Sequence, residues 1–333
     1  MADFRLEPKD EYPHPLEAAE NFNESVYCNG FDPDLAFGGW LRLGNRANEG
    51  HAELSVCLYL PDGRIACRFD RPAIDGNDGF EAGGFHYRVE TPLAEIALRY
   101  QGEVFVLDDP TGLDDPAKAF AMAPRQDCLV DWRISGTSPL HGGEPTRDDV
   151  QTMYGRDFSR NHFNQHTAVR GLIRVGDEQW PLDGFGWRDH SWGPRYWQNI
   201  RFYRLLLGNF GPDAGFMLLK ITDPGGRTRR VGVFQRDGEY QEIRDLDLLT
   251  EWTGRREQRR IELALRTAGG VERISGEVVN LAPLRNRRRV EGREMRTRIA
   301  EGFTRWTWRE RTGFGMSEYL DLVEDGQPIG YPG

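Results

Sequence analysis

Short stretches of alternating apolar and polar residues, broken by turn residues, run along most of the chain. In ELSVCLYLPDGRIACRF, Leu54, Val56, Leu58 and Leu60 fall on one face of an extended segment. PDGR then turns the chain at Pro61–Arg64, and a second strand starts at Ile65. Successive strand side chains point to opposite faces, so this spacing predicts a hairpin with one buried face. Phe85, Tyr87 and Val89 are in phase, as are Ile96, Leu98 and Tyr100, after which Gly102 bends the chain into VFVLDD. The second half repeats the style. VGVFQRDGEYQEI reads as a hairpin around Asp237 and Gly238, and IELALRTAGGVERISGEVV as another around Gly269 and Gly270.

Helical signals are few. Asp115 to Met122 predicts a short helix, and Leu246 to Arg260 has some helical periodicity, interrupted by Gly254. The predicted fold class is therefore all-β, with antiparallel strands arranged as barrels or sandwiches. Pro139 to Asp149 is rich in Gly, Pro and charge and reads as a long loop. The strand pattern AVRGLIRV follows it and closes the first unit, so the expected domains are residues 1–180 and 181–333.

Composition narrows the partners. At 333 residues the chain is long enough for two cores. A net charge of -10 removes the global basic footprint of a nucleic-acid binder. The clusters Arg255, Arg256, Arg259, Arg260 and Arg287, Arg288, Arg289 sit among acids and read as solvated faces. No basic start with an apolar stretch opens the sequence and no run approaches 18 apolar residues. Neither a secretory signal nor a transmembrane segment is expected, and the expected location is cytoplasmic. Cys28, Cys57, Cys67 and Cys128 lack CxxC spacing and read as reduced, partly buried thiols.

The densest chemistry lies in DGFGWRDHSWGPRYW, Asp183 to Trp197: two acids, two arginines, a histidine and three tryptophans in fifteen residues. If the segment is extended, Trp187, Asp189 and Ser191 share one face, and Arg188, His190 and Trp192 share the other. Asp189 beside tryptophan is a candidate proton donor, with His190 as acid, base or orienting group. Trp187 and Trp192 are candidates for an apolar wall or for stabilising a cation, and Arg188, Arg195 and Tyr203 join them as candidate substrate-binding residues. The same residues also suit a purely structural reading, an Arg–Asp pair with tryptophans locking two barrels together.

His162 and His166 are further candidates for lining the site. In an extended chain their Cα atoms lie about 13 Å apart, too far for one zinc ion, and no HExxH motif is present. No metal site is expected. In GFTRWTWRERTGFGMSEYLDL, Glu318 shares a face with Met316 and Leu320 and reads as a candidate buried carboxylate. A buried guanidinium needs an acid, and Glu318 is the partner expected for Arg188. The N-terminal stretch around Glu24, Tyr27, Trp40 and Arg42 reads as the first barrel strand entering the core.

Three segments together carry a resemblance: Gly184 to Arg195 (GxGxRDHSWGxR), GGWLRLGNRANEG near the start, and GMSEYLD near the end. The chain resembles two-domain bacterial proteins near the carotenoid 1,2-hydratase and AttH-like superfamily. That resemblance implies two tandem lipocalin-like antiparallel β-barrels with a ligand cavity, in a group that includes hydratases of isoprenoid double bonds. Its Asp-His-x-Trp element matches Asp189, His190 and Trp192. The expectation is an acid-catalysed hydratase, dehydratase or isomerase without a cofactor, acting on a terpenoid, steroid or aromatic molecule. A carrier or sensor of a lipophilic ligand is the alternative, and a structural or protein-interaction role a third.

Overall fold

The structure is a computed structural model and describes residues 3–150, 152–155, 158–290 and 292–332. Its elements are almost all strands. They form two compact units, residues 1–106 with 124–196, and residues 107–123 with 197–333. The expected division at 180/181 falls inside one continuous strand, Glu178–Arg195.

In the first unit the strands close into a ring. Around it run Phe22–Asp32, Phe37–Arg46, His51–Tyr59, Ile65–Asp70, Glu95–Leu107, Arg125–Gly136, Ser159–Val175 and Glu178–Arg195, which pairs again with Phe22–Asp32. Among the described residues, closure pairs each of these strands on both sides. One face of each strand supplies the core, including Val26, Leu41, Leu43, Leu54, Val56, Leu58, Leu98, Val130, Trp132, Val169 and Ile173. The predicted hairpin is present: Leu54, Val56, Leu58 and Leu60 are buried, and Gly63 sits at φ 91° in the turn. At Gly186 a Cβ would lie 1.8 Å from the Asn29 carbonyl oxygen, so only glycine lets these two strands come this close. The stretch predicted as a loop from Pro139 contains a short strand, His141–Pro145, which pairs with Ser159–Val175 and with Phe4–Arg5.

The second unit is an open antiparallel sheet. Its path is Glu239–Glu242, Thr228–Arg236, Ala214–Thr222, Phe202–Asn209, Arg311–Glu324, Arg293–Trp308, Gly270–Val290, Gln258–Thr267 and Asp245–Trp252. The two edge strands are consecutive in sequence. Between them Ile243 N donates to Gly232 O and Arg244 N to Arg266 O, which draws the edges together without completing a ladder. Leu206, Phe216, Leu218, Phe234, Leu263, Leu265, Trp306, Trp308 and Tyr319 form its core.

Asp237 and Gly238 both have positive φ and make the predicted turn. The predicted helix is Pro116–Met122, capped by Asp115. The helical periodicity at Leu246 to Arg260 is not realised. Asp245–Trp252 and Gln258–Thr267 are paired strands there, because alternation buries Leu246, Ile261 and Leu263 against the sheet.

Candidate functional site

The strand Glu178–Arg195 lies between Phe22–Asp32 and Ser159–Val175, so each of its faces carries side chains from three strands. The alternation expected for Trp187 to Trp192 is observed, and it separates two polar clusters.

The outward face of the ring carries Trp187, Asp189 and Ser191. Asn164 stands opposite Asp189 on one side and Tyr27 on the other. His162 Nε2 is 3.3 Å from Asp189 Oδ2; the His162 side chain is buried, while that of Asp189 keeps 16% exposure. Tyr154 meets the His162 ring edge-on at 5.2 Å, and His166 meets Trp187 edge-on at 4.8 Å. Burial, aided by the neighbouring His162, pushes the His141 imidazole down to about 4, so it is neutral near pH 7. Arg195 is half-buried, bonds to Ser191 and lies over the Phe158 ring.

The inward face carries Arg188, His190 and Trp192. Asp189 and His190 therefore do not meet: neighbours on a strand point to opposite faces. His190 Nε2 lies 2.9 Å from Glu24 Oε1, and His14 Nδ1 lies 2.7 Å from the same oxygen. The other Glu24 oxygen accepts from His14 N at 2.8 Å and Asn77 Nδ2 at 2.6 Å. Burial disfavours the Glu24 charge, but the bonds from His14, His190 and Asn77 outweigh it and hold the carboxyl down at about 2. Trp192 stacks on His14 with ring centroids 4.1 Å apart. Among the described residues, His14, Glu24 and His190 are the group whose donor atoms gather closely enough, within 4.8 Å, to hold a metal ion.

Arg188 lies on the same inward face. Its partner is Glu11, at 2.6 Å, with Gln165 and Tyr87 completing the contacts at 2.9 and 3.4 Å. The expected pairing with Glu318 is corrected: Glu11 arrives from the N-terminal turn Pro8–Glu11, which strand periodicity does not register. Burial would favour a neutral guanidine, but Tyr87 and Glu11 beside it hold the proton more tightly than usual.

Tyr203 and Glu318 meet each other in the second unit, where the Tyr203 hydroxyl donates to Glu318. Directly opposite Glu318, across the strand pair, stands Glu301. Burial, then the facing Glu318, raises the Glu301 carboxyl well above the usual carboxylate range. Sequence reasoning missed Glu301. The signal was present, since Ile299, Glu301 and Phe303 share one strand face. His14 and Glu11 were also missed, and no periodicity marks them.

The model of the family described as domain of unknown function DUF7064 matches residues 7–323. The chain belongs to the DUF7064 family. None of the curated proteins matches this DUF7064 member in sequence.

Solved structures share its fold at low identity. An AttH protein from Nitrosomonas europaea is 14% identical, with TM-score 0.56, over 95% of this chain and 98% of that one. CghA, solved with Sch210972, is 10% identical with TM-score 0.55, over 91% and 89%. Kievitone hydratase from Nectria haematococca is 7% identical with TM-score 0.53, over 96% of both chains. These likenesses extend over nearly the whole chain and establish the two-unit β fold.

Proposed function

We propose that this protein is an enzyme that adds or removes water, or moves a double bond, on a hydrophobic small molecule by proton transfer. The observation that carries the reading is the Asp189–His162 pair: a partly exposed carboxylate 3.3 Å from a buried imidazole. A carboxyl–imidazole pair can give a proton and take one back. In hydration, the pair protonates one alkene carbon. Water adds to the adjacent cationic carbon and returns its proton to the pair, so alkene plus water gives alcohol. Trp187, on the same face as Asp189, is buried with His166 edge-on against it and backs the pair with an aromatic wall. The fold shared with kievitone hydratase and CghA supports a small, hydrophobic substrate.

The test is incubation with kievitone and with terpenoid, steroid and aromatic alkenes in water enriched in oxygen-18, followed by mass spectrometry. The expected product carries one labelled oxygen, or is an isomer of the substrate. Asp189→Asn should slow its formation by about 10²–10⁴-fold, the usual worth of a general acid or base. Unchanged turnover in the folded variant removes the role of Asp189. Recovery of an unmodified lipophile by native mass spectrometry, with no turnover of any probe, replaces the enzyme by a carrier.

A further inference from the structure

The inward cluster on the other face of the same strand presents a problem in hydrogen placement. Two imidazole nitrogens, His14 Nδ1 and His190 Nε2, converge on the single oxygen Glu24 Oε1. If protons alone hold them, both nitrogens must donate. A neutral imidazole that donates from one nitrogen has a bare lone pair on the other. For His14 that second nitrogen, Nε2, lies 3.4 Å from Asp10 Oδ1, so lone pair would face carboxylate. For His190 the second nitrogen is Nδ1, buried without a hydrogen-bond partner between Phe80 and Phe163. The Glu24 and His190 side chains are 0% and 1% exposed, so water does not resolve the conflict there.

We infer that His14 Nδ1, His190 Nε2 and Glu24 Oε1 are the ligands of a first-row divalent metal ion, with zinc the fitting member. The hydrogen placement then resolves at His14. Both converging nitrogens present lone pairs to the ion. His14 Nε2 carries its proton toward Asp10, and a metal-bound histidine usually donates its other N–H to a carboxylate or carbonyl. Asp10 is itself held by the Glu7 backbone N–H at 2.7 Å. Glu24 keeps its two N–H donors on Oε2 and turns Oε1 to the ion. The charge balances as well, since Glu24 and Asp10 supply two negative charges for a dication.

Two histidines and a glutamate form a three-ligand set that leaves zinc a fourth position. Around a tetrahedral zinc, donor atoms stand about 3.3 Å apart. The 2.7 and 2.9 Å contacts must therefore open by roughly half an ångström, and the two imidazole nitrogens, within 4.8 Å of each other, must close by up to about 1.5 Å. His14 is the ligand with room to move, at 18% exposure. This site is independent of the Asp189 reading, because it lies on the opposite face of the strand.

The test uses the full-length chain, stripped with a chelator and dialysed, then titrated with cobalt(II) and with zinc. The expected result is a visible cobalt absorption that saturates at about one ion per chain, disappears on addition of zinc, and accompanies a rise in Tm. Asp10→Asn should weaken zinc by about 10–100-fold, the usual effect of losing an outer partner. His14→Ala should weaken it at least as much and abolish the cobalt band. A folded wild-type chain that takes up neither ion overturns the inference. Uptake that persists unchanged in both His14→Ala and Asp10→Asn places the ion elsewhere and overturns it equally.

Discussion

Arg188 Nη1 lies 2.6 Å from Glu11 Oε1, an ion pair whose side chains are 2% and 0% exposed. Tyr87 OH donates to the same Glu11 oxygen at 2.9 Å, and Leu93 N donates to the other at 2.8 Å. The pair therefore ties the N-terminal turn to the central strand. Removing one partner of such a pair strands a buried charge. Arg188→Met should cost about 3–5 kcal/mol in urea unfolding. Glu11→Gln should cost less, since the amide oxygen still accepts one bond. Replacing both, Arg188→Met with Glu11→Leu, should recover much of the loss. Equal small losses in the two single variants would refute the pair.

Glu301 and Glu318 make stability depend on pH. The Glu301 carboxyl is raised well above its ordinary 4.5 by burial and by Glu318. In the interval from about 4.5 up to the raised value, the folded chain binds more protons than the unfolded chain. Stability therefore falls as pH rises through that interval, with a slope up to about 1.4 kcal/mol per pH unit for one proton. Glu301→Gln should remove this fall. Urea unfolding of both proteins across the acid-to-neutral range is the check, and parallel curves would show that Glu301 ionises normally.

Gly186 sits where the strand backbones nearly touch. Gly186→Ala would place a Cβ 1.8 Å from the Asn29 carbonyl oxygen, which neither backbone relieves without moving. A Tm loss of several degrees is expected, of the order that about 1–3 kcal/mol of overpacking produces. The equivalent change at Gly63, whose Cβ would meet nothing within 4 Å, should act only through its positive φ and cost less. A smaller loss at Gly186 than at Gly63 would contradict the close approach.

The four cysteines are buried and unbridged. Burial pushes Cys67 and Cys128 up to about 12, so little thiolate forms near neutral pH. A thiol reagent should label the native chain slowly and all four thiols together in denaturant. Rapid native labelling of any of them would show local opening of the ring.

How much of this was legible in the sequence follows from what periodicity records. Alternation at Leu54, Val56 and Leu58 and turn chemistry at Asp237–Gly238 are local, and they dictated strands and hairpins directly. The sorting of Asp189 and His190 to opposite faces is local as well, since a strand has period two. The mixed signal at Leu246 to Arg260 was not decided locally. Burial against neighbouring strands chose alternation over helical periodicity there.

Partner choice was beyond the sequence. Arg188 finds Glu11, 177 positions away, and His190 shares Glu24 with His14, because ring closure and the N-terminal turn bring these groups to one place. The residue types announced that buried charge needed compensation; they could not say which acid supplied it. Only the closed path of the strands decided that, because side-chain contacts across a sheet depend on strand order and register, and neither is written in the spacing of any single segment.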